Sequence, residues 1–299
     1  MSEIKLFRYG QGVQELKSSS AVLEKEIQKV IENNMLEFFG VNFLQSEWSV
    51  NNGQRRIDSI GIDENNCPVI FEYKCHSNEN VINQGLYYLN WLLEHKADYK
   101  LLVIEKMGNK LATNIDWSMP RIICIAGDFN KYDEEAINLI NRNISLIRYT
   151  KFEKDLLMFE LLNTNKVDPI IEEGTKNKGN SQYNLTTFKE QYDKAPESIK
   201  EIFDEIKDFA LTLGDDVSDN ILKLYLALKK IKNFATMGIY QTKIIINFRL
   251  NPADYELNEK LRDVSEIGHW GCGNLELTIK SKVEIDLAKN LLKQAYENN

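Results

Sequence analysis

Within "RRIDSIGIDENNCPVIFEYK", residues 55–74, the charged residues Asp58, Glu72 and Lys74 sit in two runs that otherwise read as buried β-strand. Charge in such a place is costly unless it is paired or bound to a metal ion. Side chains alternate faces along a strand. Arg56, Asp58, Ile60 and Ile62 therefore share one face of the first run, and Pro68, Ile70, Glu72 and Lys74 share one face of the second. With the turn centred on Asn65, Ile60 falls opposite Ile70 and Asp58 opposite Glu72. Opposed Cβ atoms lie about 5 Å apart, close enough for both carboxylates to grip one ion. Oxygen-only ligation suits Mg²⁺ or Mn²⁺, which keep several waters and accept phosphate oxygens. Lys74 beside such an ion would orient an attacking water or stabilise charge developing on a phosphate. The set suits phosphodiester hydrolysis. Asp63 has the wrong parity and is expected at the turn, where a bulge near Pro68 would shift the register by one residue. The competing reading is an exposed hairpin edge with ordinary surface charges.

The elements that must position these residues are read from periodicity. "SSSAVLEKEIQKVIENNMLEFFG" predicts a helix with Ser20 as N-cap and Gly40 closing it. "NFLQSEWSV" alternates like a strand, and residues 55–74 add two more around "ENN". "NVINQGLYYLNWLLEHK" reads as a half-buried helix. "YKLLVIEK" and "RIICIAG" read as strands apolar on both faces, as inside a sheet covered by helices. "DEEAINLINRN" reads as a helix and "ISLIRYT" as a strand, giving an α/β layer structure. Residues 163–184 are polar and rich in Asn, Lys and Gly, and read as a linker between domains at 1–162 and 185–299. The second domain is α+β. It has two helices ("PESIKEIFDEIKDFALTL", with Pro196 near its first turn, and "SDNILKLYLALKKI"), then strands "FATMGIY", "KIIINFRL" and "LELTIK", then a last helix "VEIDLAKNLLKQAYE".

The helix after the hairpin carries "QGLYY", with Gln84 and Tyr88 four residues apart on one face. Asp58, then Glu72-x-Lys74, then Gln84-x-x-x-Tyr88 resembles the PD-(D/E)XK nuclease superfamily in its RecB-like form. The resemblance spans roughly residues 15–160, with Ile57-Asp58 where the family's name has Pro-Asp. It implies a restriction-endonuclease-like mixed sheet flanked by helices. It also implies a Gln-x-x-x-Tyr helix that helps hold the lysine and the DNA. A helix glutamate that reaches the metal is a further family trait, carried here by Glu24, with Glu26 nearby as a poorer match. Residues 115–137, through Asp116, Trp117, Pro120 and Arg121, are similar to a block of the endonuclease NucS branch, and read as a structural lock before a core strand. "LRDVSEIGHWGCGNLELTI" in the C-terminal part resembles an uncharacterised domain labelled "predicted transport protein".

Other residues carry less. His269 and Cys272 do not make a zinc site, since two ligands are too few. His76 reads as a strand-end histidine. Lys223, Lys229, Lys230, Lys232, Lys243 and Arg249, near Tyr225, Phe234 and Tyr240, form a basic stretch that reads as a solvated face, with nucleic-acid binding as the alternative. A net charge of −8 argues against a general electrostatic grip on nucleic acid, though a local basic surface and a metal ion would serve a nuclease. The four cysteines show no C-x-x-C spacing, and the start lacks the apolar core of a signal peptide, so a cytoplasmic location is expected. No apolar run is long enough for a membrane span.

The resulting expectation is a Mg²⁺- or Mn²⁺-dependent nuclease acting on DNA. Asp58, Glu72 and Glu24 hold the metal, Lys74 positions the water, Gln84 and Tyr88 support the site, and Arg55 and Arg56 contact phosphate. The C-terminal domain selects substrate or partner, and a homodimer is left open. A non-cleaving module that binds nucleic acid or protein on the same fold is the alternative.

Overall fold

The computed structural model describes residues 4–10, 12–19, 24–74, 80–164, 170, 186–267 and 271–299. A hairpin of β1 (Leu6–Tyr9) and β2 (Val13–Leu16) precedes a short β3 (Ser18–Ser19). Then come α1 (Glu24–Asn33) and α2 (Met35–Phe39). The single helix expected here breaks at Asn34, while Gly40 ends α2 with φ 65, the left-handed cap a glycine takes without strain. Ser20 lies outside the described residues. β4 (Val41–Val50), β5 (Arg55–Asp63) and β6 (Pro68–Lys74) form an antiparallel meander. The β5–β6 ladder pairs Ser59 with Phe71, Ile60 with Ile70 and Ile62 with Pro68, the expected register with no bulge in the turn.

From β6 the chain crosses one face through α3 (Val81–Glu94), α4 (Lys96–Met107) and α5 (Asn109–Ala112) to β7 (Arg121–Ala126), parallel to β6. Through α6 (Lys131–Ala136) it reaches β8 (Asn143–Phe152), parallel to β7, and β9 (Leu156–Thr164) folds back antiparallel on β8. The result is a mixed seven-stranded sheet flanked by helices. On one side Tyr88, Leu92, Tyr99 and Val103 pack on Ile60, Ile62, Ile70 and Ile122. On the other, Ile27, Ile31, Met35 and Phe39 pack on Val69, Phe71, Tyr73 and Ile125. "YKLLVIEK" is therefore helix α4, not a strand. Its apolar run buries only the Tyr99–Leu102–Val103 stripe, and Leu101 is 64% exposed. β9 runs to Thr164, two residues past the expected domain edge. The rest of the expected linker, apart from Ile170, lies outside the described residues.

The C-terminal part opens with α7 (Phe188–Lys194) and α8 (Glu197–Leu211). Strands β10 (Ser218–Ile221), β11 (Leu226–Lys229), β12 (Asn233–Ile239), β13 (Ile244–Phe248), β14 (Leu261–Asp263) and β15 (Leu275–Ile279) follow, then α9 (Ile285–Glu297). They build a six-stranded antiparallel sheet covered by the three helices. "SDNILKLYLALKKI", expected as a helix, is the β10–β11 hairpin. β11 is buried on both faces. Leu226 and Leu228 meet the C-terminal core, while Ala227 joins Tyr225, Cys67 and Met119 at the junction with the first sheet.

That junction grips the β5–β6 turn. Glu64 pairs with Arg249 and accepts the Asn233 N–H at 2.6 Å. Asn65 Oδ1 accepts from Tyr225 Oη at 3.0 Å and Asn233 Nδ2 at 2.7 Å. Lys232 donates to the Glu37 carbonyl at 2.7 Å. The basic stretch is thus neither a solvated face nor open to nucleic acid at Lys229, Lys232 and Arg249. Asp63, expected at the turn, ends β5 buried. It accepts the Asn65 and Cys67 N–H groups at 2.9 Å and faces Arg121 Nε at 3.4 Å. The Arg121 block behaves as a lock: Asp116 accepts the Ser118 N–H at 2.8 Å, and Trp117 packs edge-on against Tyr99. Burial, with the Arg121 charge behind it, pushes the Lys229 ammonium well below its usual range beside this pair.

Removing one member of a buried ion pair leaves the other charged and unpaired. Asp63→Ala is expected to lower unfolding free energy by about 3–5 kcal/mol in urea titrations, and Asp63→Asn by less because it keeps a turn acceptor. A loss below about 1 kcal/mol for Asp63→Ala would contradict the pairing.

Candidate active site

The β5–β6 ladder stops at Ser59 and Phe71. Beyond it, carboxylates take the places of carbonyls. The Tyr73 N–H donates to Asp58 Oδ2 at 3.0 Å, and the Asp58 N–H donates toward Glu72 Oε1 at 3.4 Å. The two acids expected to oppose each other are thus brought together at the strand ends. Among the described residues, no protein donor bonds Asp58 Oδ1 or Glu72 Oε2.

α1 fixes this corner from behind. Gln28 Nε2 donates to the Asp58 carbonyl and to Glu32 Oε1, both at 2.9 Å. Ser59 Oγ donates to Glu32 at 2.6 Å, and the buried Tyr73 hydroxyl donates to Ser59 Oγ at 3.1 Å. Gln28, Glu32, Ser59 and Tyr73 were not singled out in the sequence. A signal existed: Glu24, Gln28 and Glu32 recur every four residues, a polar stripe beside the buried Ile27 and Ile31. The same stripe brings Glu24 to Lys74, with Oε1 3.3 Å from Nζ, while Glu26 pairs with Lys151 on the surface.

Electrostatics follow from burial. Asp58 is pushed up to about 6, first by burial. The Tyr73 N–H and Lys74 oppose the shift, and Glu24 and Glu47 add to it. Glu72, more deeply buried, is raised well above the carboxylate range by desolvation and then by the Asp58 charge. Tyr88 is raised by burial and then by the charges of Glu72 and Asp58, against Arg55.

Gln84 stands one turn before Tyr88 on α3, and its Oε1 is buried with no partner. α3 lies this close because of Gly85: an added Cβ there would meet Ile122 Cγ2 on β7 at 2.6 Å. Arg55 and Arg56 are exposed. The Arg55 guanidinium lies 4.6 Å over the Tyr87 ring, and Arg56 reaches Glu47 at 3.9 Å. His76 and His269 lie outside the described residues. Cys272 is buried with its thiol 3.8 Å from the Asn233 carbonyl, in a packing role.

Among the described residues, no three His, Cys, Asp or Glu side chains stand together as a metal-holding group. Glu24 lies 3.3 Å from Lys74, and its charge acts on both Asp58 and Glu72. Two carboxylates still fit Mg²⁺ or Mn²⁺, which bind through one or two acids and fill the remaining positions with water and substrate oxygens. The spare oxygens of Asp58 and Glu72, and the raised pKa values that a cation would bring down, are what such an ion requires.

Three comparisons bear on the chain. Residues 188–299 match a family model described as a domain of unknown function, DUF5655. An "Uncharacterized protein" of Haemophilus influenzae (strain ATCC 51907 / DSM 11121 / KW20 / Rd) is 33% identical over 306 residues, covering 99% of this chain and 100% of the relative. No solved structure matches the chain.

The raised Asp58 value carries a sign. Its folded value lies above its ordinary 3.8, so the native state holds the proton more tightly, and stability is lost as pH rises through about 6. With chelator present, Asp58→Asn should gain on the parent by about 1–3 kcal/mol between pH 4 and pH 7, read from urea unfolding. Mg²⁺ at pH 7 should restore the parent and leave the variant unchanged. A difference that stays flat with pH would show that Asp58 is not a strained acid.

Proposed function

The chain belongs to one family with the Haemophilus influenzae protein, and from the acidic corner we propose that its N-terminal part is a metal-dependent nuclease of the PD-(D/E)XK kind, hydrolysing phosphodiester bonds in DNA. The observation that carries the reading is the Asp58–Glu72 pair. These two desolvated acids are held side by side at the end of a ladder, with a lysine on the next outward position of the same strand. Nothing structural is gained by burying two like charges together. A divalent cation accounts for them.

Asp58 and Glu72 would hold the ion, which supplies positive charge to a phosphate oxygen and acidifies a bound water. Lys74 keeps its ammonium at the rim of the pair, where it can leave Glu24 to neutralise charge developing on the phosphate. Gln84 and Tyr88 would support the site from α3, where Gln84 Oε1 is buried without a partner and the Tyr88 phenol is raised by both acids. Arg55, exposed at the start of β5, is placed to meet a neighbouring phosphate. The C-terminal domain, clamped on the far end of the same hairpin, would select substrate or partner.

One observation favours a second reading. Lys74 is engaged by Glu24, as it would be in a fold that binds nucleic acid or protein without cutting.

The two readings separate in one set of assays. Purified protein is incubated with labelled single-stranded, duplex, flap and mismatched DNA, and with RNA, in Mg²⁺, Mn²⁺ or chelator. Cleavage should require metal. Asp58→Ala, Glu72→Ala and Lys74→Ala should each lower the rate by about 10²-fold or more. Calorimetric titration should show Mn²⁺ binding lost in the two acid variants and kept in Lys74→Ala, which removes a neighbouring positive charge. No cutting of any substrate, with Mn²⁺ binding indifferent to Asp58→Ala, would leave the non-cleaving module in its place.

A further inference from the structure

A cleft of about 380 Å³ opens against α3, lined by none of the residues assigned to the acidic corner. One wall is the Asn51–Asn52 turn between β4 and β5; the other is the face of α3 carrying Tyr87 and Trp91, with Glu94 at the end of α3 and Asp98 in the first turn of α4. In this turn Asn51 and Asn52 are both at positive φ before Gly53. Tyr87, Trp91 and His95 recur every four residues and form an aromatic stripe on one helical face. Trp91 is locked between the edge of Trp48 and a parallel stack on His95 at 4.1 Å. Tyr87 keeps 37% of its surface exposed.

The cleft's polar groups have a definite character. Asn90 donates to one oxygen of Glu94 at 3.1 Å, leaving the other free. The Asp98 carboxylate has no side-chain partner among the described residues. Ionised carboxylates only accept hydrogen bonds, so the cleft takes a flat ligand that brings N–H donors, and it repels phosphate. Among nucleobases, guanine alone presents two adjacent donors, N1–H and N2–H, along one edge, a match for one carboxylate. Adenine, cytosine and thymine each set an acceptor beside their donor on that edge. The asparagine amides supply donors for the guanine carbonyl.

The cleft is also joined to the acidic pair. Arg55, three residues before Asp58, lies over Tyr87, and the Tyr87 ring is 5.6 Å from Tyr88, whose phenol feels Glu72 and Asp58. A strand with its phosphate at the pair would pass Arg55 and deliver a neighbouring base to Tyr87. We propose that this cleft holds an unstacked guanine of the strand being cut, stacked on Tyr87 and read by the carboxylates of Glu94 and Asp98. The inference rests on the nuclease reading for its position and on the cleft alone for its ligand.

The test uses the full chain in chelator, so that metal-borne phosphate binding does not contribute. Guanosine, adenosine, cytidine and thymidine are titrated by calorimetry; as nucleosides they carry no phosphate. Guanosine should bind about tenfold tighter than the others. Tyr87→Ala and Asp98→Asn should weaken it at least about fivefold, since stacking on an aromatic ring is worth that much, while Asp58→Ala should not. Oligothymidylate with one internal dG should bind more tightly than oligothymidylate alone, and Tyr87→Ala should erase the gain. Equal affinity for the four nucleosides, or guanosine binding unchanged by Tyr87→Ala, overturns the proposal. Guanosine binding with no advantage for the dG strand assigns the cleft to a free nucleotide and overturns its place at the cut. A chain that binds guanosine through Tyr87 yet cuts nothing sinks the nuclease reading alone, and one that cuts DNA yet ignores guanosine sinks only the cleft.

Discussion

Two carboxylates, the half-buried Asp58 and the buried Glu72, stand side by side where a β-ladder ends, and much of the first domain is arranged around that fact. The ladder supplies part of the compensation. Once Ser59 and Phe71 have paired, the next two N–H groups turn to carboxylate oxygens instead of carbonyls. The Tyr73 N–H and Lys74 pull the Asp58 pKa down, yet burial still wins and holds it at about 6, while burial and the Asp58 charge raise Glu72 well above the carboxylate range. Two N–H groups and one lysine do not offset two desolvated charges. The remainder must come from a proton or a cation, and that shortfall links the fold to the proposed chemistry.

A pair of this kind depends on register, because a slip of one residue sends every side chain to the other face. The hairpin is held at both ends accordingly. At the acidic end, Gln28 and Glu32 of α1 bind the Asp58 carbonyl and Ser59. At the turn, Asp63 is locked to Arg121, and Glu64 and Asn65 are taken by Arg249, Asn233 and Tyr225 of the second domain. The C-terminal domain therefore sits on the same two strands that carry the acids. Its basic residues, which in the sequence read as a solvated face, are partly spent on this attachment.

How much of this was legible in the sequence depended on whether a segment had one buried face or two. The hairpin register was readable because Asp58, Ile60 and Ile62 alternate with residues of the other face and the turn is short. α3 was readable because its apolar run is too long and too even for a strand. "YKLLVIEK" and "SDNILKLYLALKKI" failed for opposite reasons. The first is a helix whose exposed side keeps Leu101 and Ile104, so its apolar run imitates a two-faced strand. The second contains a strand, β11, apolar on both faces because one meets the C-terminal helices and the other the first domain. β9 left little signal, since an edge strand half-buried along most of its length shows no clean alternation. The role of Asp63 was hidden because its partner Arg121 lies far along the chain and comes near only through the parallel β6–β7 pairing.

The same α3 that completes the acidic corner also builds the neighbouring cleft, and helix geometry makes the two inseparable. Successive residues on a helix point about 100° apart, so Tyr88 faces the sheet and the acids while Tyr87 faces outward to Arg55 and the cleft. Gly85 sets the depth of both. A side chain there would strike Ile122 and lift the helix from β7, withdrawing the Tyr88 phenol from Glu72 and at the same time tilting the Tyr87–Trp91 stripe away from the Asn51–Asn52 turn. One close helix–strand contact thus decides at once how the acids are flanked and how wide the cleft stands.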